Sequence, residues 1–115
     1  MENVKDRLDV IVKACEEKKG IDIKVMDVSE RTSVANYFVI VTGNSSSQTM
    51  SIADEIDRKM AEINATEYLK EGYQSGRWIL LDYSDIIVHV FHKEEREFYN
   101  LEKLWSGLEE DSNQI

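Results

Sequence analysis

The chain has 115 residues, with 23 acidic side chains against 14 basic ones, a net charge of −9, one cysteine and no proline. That length fits a single domain with a hydrophobic core of its own, and a lone cysteine excludes an intrachain disulfide. The charge disfavours broad contact with a phosphate backbone and suits a basic protein partner, although it serves simple solubility equally well.

Met1 to Asp6 lacks a basic start followed by an apolar stretch, and no apolar run reaches membrane-spanning length. A cytoplasmic protein without membrane contact is the expectation. From Glu2 to Lys19, Val4, Leu8, Ile11, Val12 and Cys15 recur at three- and four-residue steps, which predicts an amphipathic helix closed by Gly20. Cys15 falls on its apolar side and reads as a structural thiol. Ile21, Ile23 and Val25 then alternate with Asp22 and Lys24, predicting a strand to about Val28 with one buried face.

Ser29 to Asn36 reads as a loop. Tyr37 to Thr42 is an apolar, β-branched run suited to a central strand covered on both faces. Gly43-Asn44-Ser45-Ser46-Ser47-Gln48 offers a turn and helix caps, with Ser45 and Gln48 at capping-box spacing. The helix that follows runs to about Asn64, with Met50, Ala53, Ile56, Met60 and Ile63 as its apolar stripe. Thr66 to Tyr73 is read as a shorter strand bringing Tyr68 and Leu69 into the sheet, and Gly72 and Gly76 bracket the next bend.

The most informative stretch is Arg77 to His92. Trp78-Ile79-Leu80-Leu81 and Ile86 to Phe91 are two β-type runs meeting at Tyr83-Ser84 between two aspartates, which predicts a hairpin. A last helix is expected from about Lys93 to Ser106, with Phe98, Leu101, Leu104 and Trp105 as its stripe. Residues 1–108 then form the domain and residues 109–115 an acidic, fraying tail. This order of elements predicts a single α/β domain, a mixed sheet flanked by helices, whose strand order the sequence leaves open.

The residues supply little that points to catalysis. Gly43 to Ser47 could present backbone N–H groups to an anion, but it lacks both the P-loop spacing and a GxGxxG pattern, so strand-to-helix punctuation is the simpler reading. His89 and His92 point to opposite faces of a strand and cannot easily share a metal, and no third ligand is apparent. Asp82 and Asp85 could hold magnesium or do acid/base work, yet turn chemistry explains them with less assumption, and recognition of lysine or arginine is a third reading. Trp78, Tyr83 and Tyr99 are aromatic candidates for a binding surface, and Glu102 shares a helix face with Tyr99.

Several separated blocks resemble the Iojap family of ribosomal silencing factors. They are Lys19 to Val28, Ala35 to Ser45, Gly76 to Asp85, Val88 to Phe91, and Arg96 to Tyr99 followed by Leu101-Glu102 and Leu104-Trp105. Asn36 stands where the family usually has aspartate, and Ser84 where glycine is usual, which suggests that this turn does not strictly require a positive φ.

The resemblance implies a nucleotidyltransferase-like topology without the catalytic acids, no cofactor and no enzymatic activity. It implies binding to the large ribosomal subunit through its universal protein fourteen, on the face where the small subunit docks. Subunit joining is then blocked and translation repressed under nutrient limitation; large-subunit assembly is a second role within the family. On this reading Trp78, Leu81, Asp82, Tyr83 and Asp85 contribute contacts from the hairpin, and Tyr99 and Glu102 from the last helix. Strand alternation sends Trp78, Leu80 and Asp82 one way and Leu81 and Tyr83 the other. A homodimer using the same aromatic surface is a further expectation, and a nucleotide-transferring enzyme the disfavoured rival.

Overall fold

The structure, a computed structural model, describes residues 3–94. In chain order its elements are α1 (Val4–Glu17), β1 (Ile21–Asp27), β2 (Tyr37–Gly43), α2 (Ser46–Glu62), β3 (Leu69–Glu71), β4 (Trp78–Asp82) and β5 (Ile86–His92). The expected last helix from residue 95 onward, with Tyr99 and Glu102, and the tail at 109–115 lie outside the described residues.

The strands form one mixed sheet in the order β1-β2-β5-β4-β3, as the α/β reading expects. β2 and β5 run parallel in continuous register from Tyr37 opposite Ile86 to Gly43 opposite His92. The other pairings, β1 with β2, β4 with β5 and β3 with β4, are antiparallel. Both central strands are buried along nearly their whole length, which is what their unbroken apolar runs require.

Alternation divides the sheet into two faces. On one, Val39, Val41, Ile79, Leu81, Ile86, Val88 and Val90 pack with Ile11, Ala14 and Cys15 of α1 and Ile52, Ala53, Ile56 and Met60 of α2. On the other, Phe38 and Ile87 form a second cluster with Val28 and Ala35, and Met26 and Leu80 pack against it. α2 lies on β2, β4 and β5, with α1 beside it.

Four local expectations change. Gly20 does not provide the left-handed stop of α1: Lys19 does, with φ 60°, while a Cβ at Gly20 would sit 2.4 Å from Val41 Cγ2. Gly20 is therefore required for close approach of the chain to β2. Strand β1 does not keep one face throughout, because the register shifts between Ile21 and Lys24 with Asp22 at φ 51°. That bulge sets Ile21 opposite Thr42 while Val25 pairs with Val39, so the two side chains end on different faces and Val25 is exposed.

The third change is β3, which keeps only three paired residues, all exposed. The fourth is the buried side of α2, which is wider than its apolar stripe and includes Thr49 and Glu55. Both polar groups are satisfied. Thr49 Oγ1 lies 2.6 Å from the Gly76 carbonyl, to which it donates, and Glu55 accepts two hydrogen bonds from Arg58 at 2.7 and 3.2 Å. Thr49 thereby fastens the start of α2 to the bend before β4.

Cys15 is fully buried, and desolvation is the main cause pushing its thiol up to about 12. The native protein is therefore expected to resist a thiol-reactive chromogenic disulfide at pH 8 and to react stoichiometrically once denatured. Rapid labelling of the folded chain would contradict this packing.

Candidate partner-binding surface around the β4–β5 hairpin

Chain reversal at the hairpin is built from local hydrogen bonds. Tyr83 N–H donates to the Ile86 carbonyl at 2.9 Å, and Asp85 N–H donates to the Tyr83 carbonyl at 3.0 Å. Asp82 Oδ1 accepts from Ser84 N–H at 2.8 Å, the aspartate-turn chemistry read in the sequence. Ser84 sits at φ 81°, so the turn does impose a positive φ and the serine carries it at a steric cost. The expectation that this serine relaxed the requirement is overturned.

Asp85 is a structural junction. Its carboxylate forms a two-pronged pair with the Arg7 guanidinium, with Nη1 to Oδ1 at 2.6 Å and a second contact from Nη2 to Oδ2. Its carbonyl also accepts from Asn36 N–H at 2.8 Å and Tyr37 N–H at 3.1 Å. One residue thus joins α1, the start of β2 and the hairpin tip. The hydrogen bond to Asp85 raises the pKa of Arg7. Arg7 was not singled out in the sequence: its partner lies 78 positions away, and nothing local signals the pair.

The remaining hairpin residues separate by face. Leu81 is 0% exposed and Tyr83 5%, both in the cluster beneath the helices. Tyr83 stacks on Tyr68 with ring centres 4.7 Å apart, and burial pushes its phenol pKa up. Trp78, Leu80 and Asp82 are half-buried on the opposite face. The Trp78 ring lies 4.8 Å from that of Phe91, and its Nε1–H donates to His89 Nδ1 at 3.2 Å.

That bond fixes the histidine tautomer. Indole nitrogen only donates, so Nδ1 must accept, and a neutral ring then carries its proton on Nε2. Nε2 is buried and has no hydrogen-bond partner among the described residues. Desolvation lowers the His89 pKa to about 4. His89 is a packed residue of the sheet, while His92, three positions on, accepts from Glu94 N–H through Nδ1 at 3.2 Å.

The Gly43 to Ser47 loop is committed to capping. Asn44 N–H donates to Gln48 Oε1 at 2.7 Å, Gln48 N–H to Ser45 Oγ at 3.1 Å, and Gln48 Nε2 reaches the Lys18 and Lys19 carbonyls at 3.2 and 3.0 Å. Two of the backbone donors at this helix start, those of Asn44 and Gln48, are thus used in capping, and the same glutamine ties α2 to the end of α1. Among the described residues no three His, Cys, Asp or Glu side chains group as metal ligands, and no helix is long and apolar enough to cross a membrane.

Two open clefts flank the hairpin tip. One, of about 690 Å³, runs from Arg7 past residues 63–66 to Glu67 and Tyr83. The other, of about 380 Å³, is lined by Val34, Glu67, Tyr68, Leu69, Asp82 and Ser84. Neither Val34 nor Glu67 was singled out in the sequence, because their meeting depends on the loop before β2 approaching β3.

The domain is a small α/β fold with a five-stranded mixed sheet, an acidic balance and two open clefts beside one hairpin. The profile described as "Ribosomal silencing factor during starvation" matches residues 1–115, and the chain belongs to that family. Over 104 residues it is 45% identical to the ribosomal silencing factor of Bacillus subtilis, covering 90% of this chain and 87% of that one. A mouse protein named for mitochondrial assembly of the ribosomal large subunit is 28% identical over 102 residues, covering 86% of this chain and 45% of its own. A crystal structure of a Chromobacterium violaceum protein superposes with a TM-score of 0.88 at 31% identity, covering 91% of this chain and 88% of that one.

Two outcomes follow from this geometry. Ser84→Gly should stabilise the protein by about 1 kcal/mol by relieving the left-handed strain, read as a raised midpoint in chemical denaturation; an unchanged or lowered midpoint would contradict the strained turn. Because the folded pKa of His89 lies below its unfolded value of 6.5, its contribution to stability is complete above pH 6.5 and is lost as pH falls towards 4. That loss is bounded at roughly 3 kcal/mol. His89→Phe should flatten this part of the stability profile, and an unaltered profile would count against a buried neutral imidazole.

Proposed function

We propose that this chain binds the large ribosomal subunit through its universal protein fourteen, on the face where the small subunit docks, and blocks subunit joining. Translation is thereby repressed under nutrient limitation, in the cytoplasm and without covalent chemistry. The observation that carries this reading is the family match over residues 1–115. A net charge of −9 supports it, since an acidic module is drawn to a basic ribosomal protein and repelled by ribosomal RNA.

On this reading the hairpin contributes in layers. Asp82 offers a carboxylate and Trp78 the open part of its ring, while buried Leu81 and Tyr83 hold the strand and turn in place. Asp85 sets the hairpin tip against α1 through Arg7 rather than meeting the partner with a free charge. Tyr99 and Glu102, which lie beyond the described residues, belong to the proposed contacts through the family resemblance alone. The chain acts without a cofactor or metal, and self-association through the same surface competes with the ribosome.

Large-subunit assembly is the second reading, favoured by the mouse relative named for that process. Nucleotide transfer is not favoured: Gln48 is spent on capping the start of α2 and on the end of α1, and among the described residues no acidic cluster stands beside this loop where a nucleotide-bound metal would need it.

Co-sedimentation with isolated large subunits tests the proposal, with small subunits added as competitors. Wild type should pellet with large subunits and prevent joining, and Asp82→Lys should weaken binding about tenfold through charge reversal at the contact. Absence of binding at micromolar protein would sink the reading. Binding that leaves subunit joining intact would favour assembly over silencing.

A further inference from the structure

Three large apolar side chains are exposed among the described residues: Val25, Val34 and Leu69, at 45, 63 and 66%. Val25 stands on β1 at one edge of the sheet. Val34 and Leu69 come from segments far apart in sequence and line the same 380 Å³ cleft. Two open hydrophobic groups converging on one concavity leave a surface that water covers poorly.

The cleft is preformed. Val34 belongs to a loop pinned by Val28 N–H to the Asn36 carbonyl at 2.9 Å, Thr32 N–H to the Val28 carbonyl at 3.0 Å and Val34 N–H to Thr32 Oγ1 at 3.1 Å. Leu69 pairs with Asp82 in the β3–β4 ladder, so both residues lie on one face. Tyr68, stacked on buried Tyr83, lines the same cleft. An occupant would therefore meet groups already in position, with little ordering cost.

Among the described residues the ionisable rim is acidic. Glu67 and Asp82 are the carboxylates lining the cleft; Glu67 makes no ion pair among the described residues, and the turn bond uses Asp82 Oδ1 and leaves Oδ2 available. Lys70, the neighbouring base on β3, is turned to the other face, where it meets Asp57 at 4.0 Å and lies over the Tyr73 ring. An apolar site between carboxylates fits a basic protein segment better than nucleic acid.

We infer that the Val34–Leu69 cleft is the anchoring site for the protein partner, taking one aliphatic side chain flanked by lysine or arginine residues that meet Glu67 and Asp82. This rests on the ribosome-binding reading and adds to it Val34, Glu67 and Leu69, which lie outside the Trp78–Asp85 stretch and meet it at Asp82 and Ser84.

The test compares wild type with Val34→Ser, Leu69→Ser, Glu67→Lys and the control Val25→Ser, measuring large-subunit binding and self-association. All four positions are exposed, and an unchanged thermal midpoint verifies that each variant folds. The expected result is about tenfold weaker binding for each cleft variant and none for Val25→Ser. Wild-type binding with undiminished cleft variants would overturn the anchor while leaving the ribosomal reading in place. Tighter binding by Glu67→Lys would place RNA there instead, and loss of self-association alone would make a second copy the occupant. Failure of wild type to bind would remove both proposals.

Discussion

Strands β2 and β5 run parallel at the centre of the sheet with side chains buried on both faces. A parallel pair cannot be closed by a tight turn, so the chain must leave the end of β2 and return to the opposite end before β5 begins. Here the return consists of α2, β3 and β4. It covers one face with a helix and brings β4 back antiparallel to β5, which fixes where the hairpin tip emerges.

That tip then takes its geometry from long-range constraints. Asp85 links it by side chain to α1 and by carbonyl to Asn36 and Tyr37 at the entrance to β2. A two-pronged arginine–carboxylate pair sets orientation as well as distance, so α1 and the tip are held as one body. Ser84 accepts an unfavourable φ because the ladder on either side dictates where the chain must reverse. The clefts beside the tip are consequently bordered by residues tied into the end of the sheet, Tyr83 in one and Asp82 with Ser84 in the other.

The two faces of β4 serve different purposes. Ile79 and Leu81 anchor the strand beneath the helices, while Trp78, Leu80 and Asp82 look towards the other side. Hydrophobic burial explains most of the aromatic surplus around the hairpin: Tyr83 is stacked in the core and Trp78 supports His89. Among the described residues, what remains open is smaller and more acidic than the aromatic density of this stretch suggests. Val34 and Leu69, aliphatic and individually unremarkable in the chain, are with Val25 the exposed large apolar side chains among the described residues.

Local patterns in the sequence determined the two described helices, the central β2 strand, the β4–β5 hairpin, the Ser45 cap and the placement of Cys15 on the buried side of α1, because each depends on periodicity or on neighbours a few positions away. The blocks from Lys19 to Trp105 likewise carried the family, which requires only residue identity and order. Tertiary structure alone decided the parallel pairing of β2 with β5, the Arg7–Asp85 junction, the close approach that demands Gly20, and the meeting of Val34 with Leu69. Each of these is a contact between segments distant in the chain, where one-dimensional spacing carries no information about which side chains the folded sheet brings together.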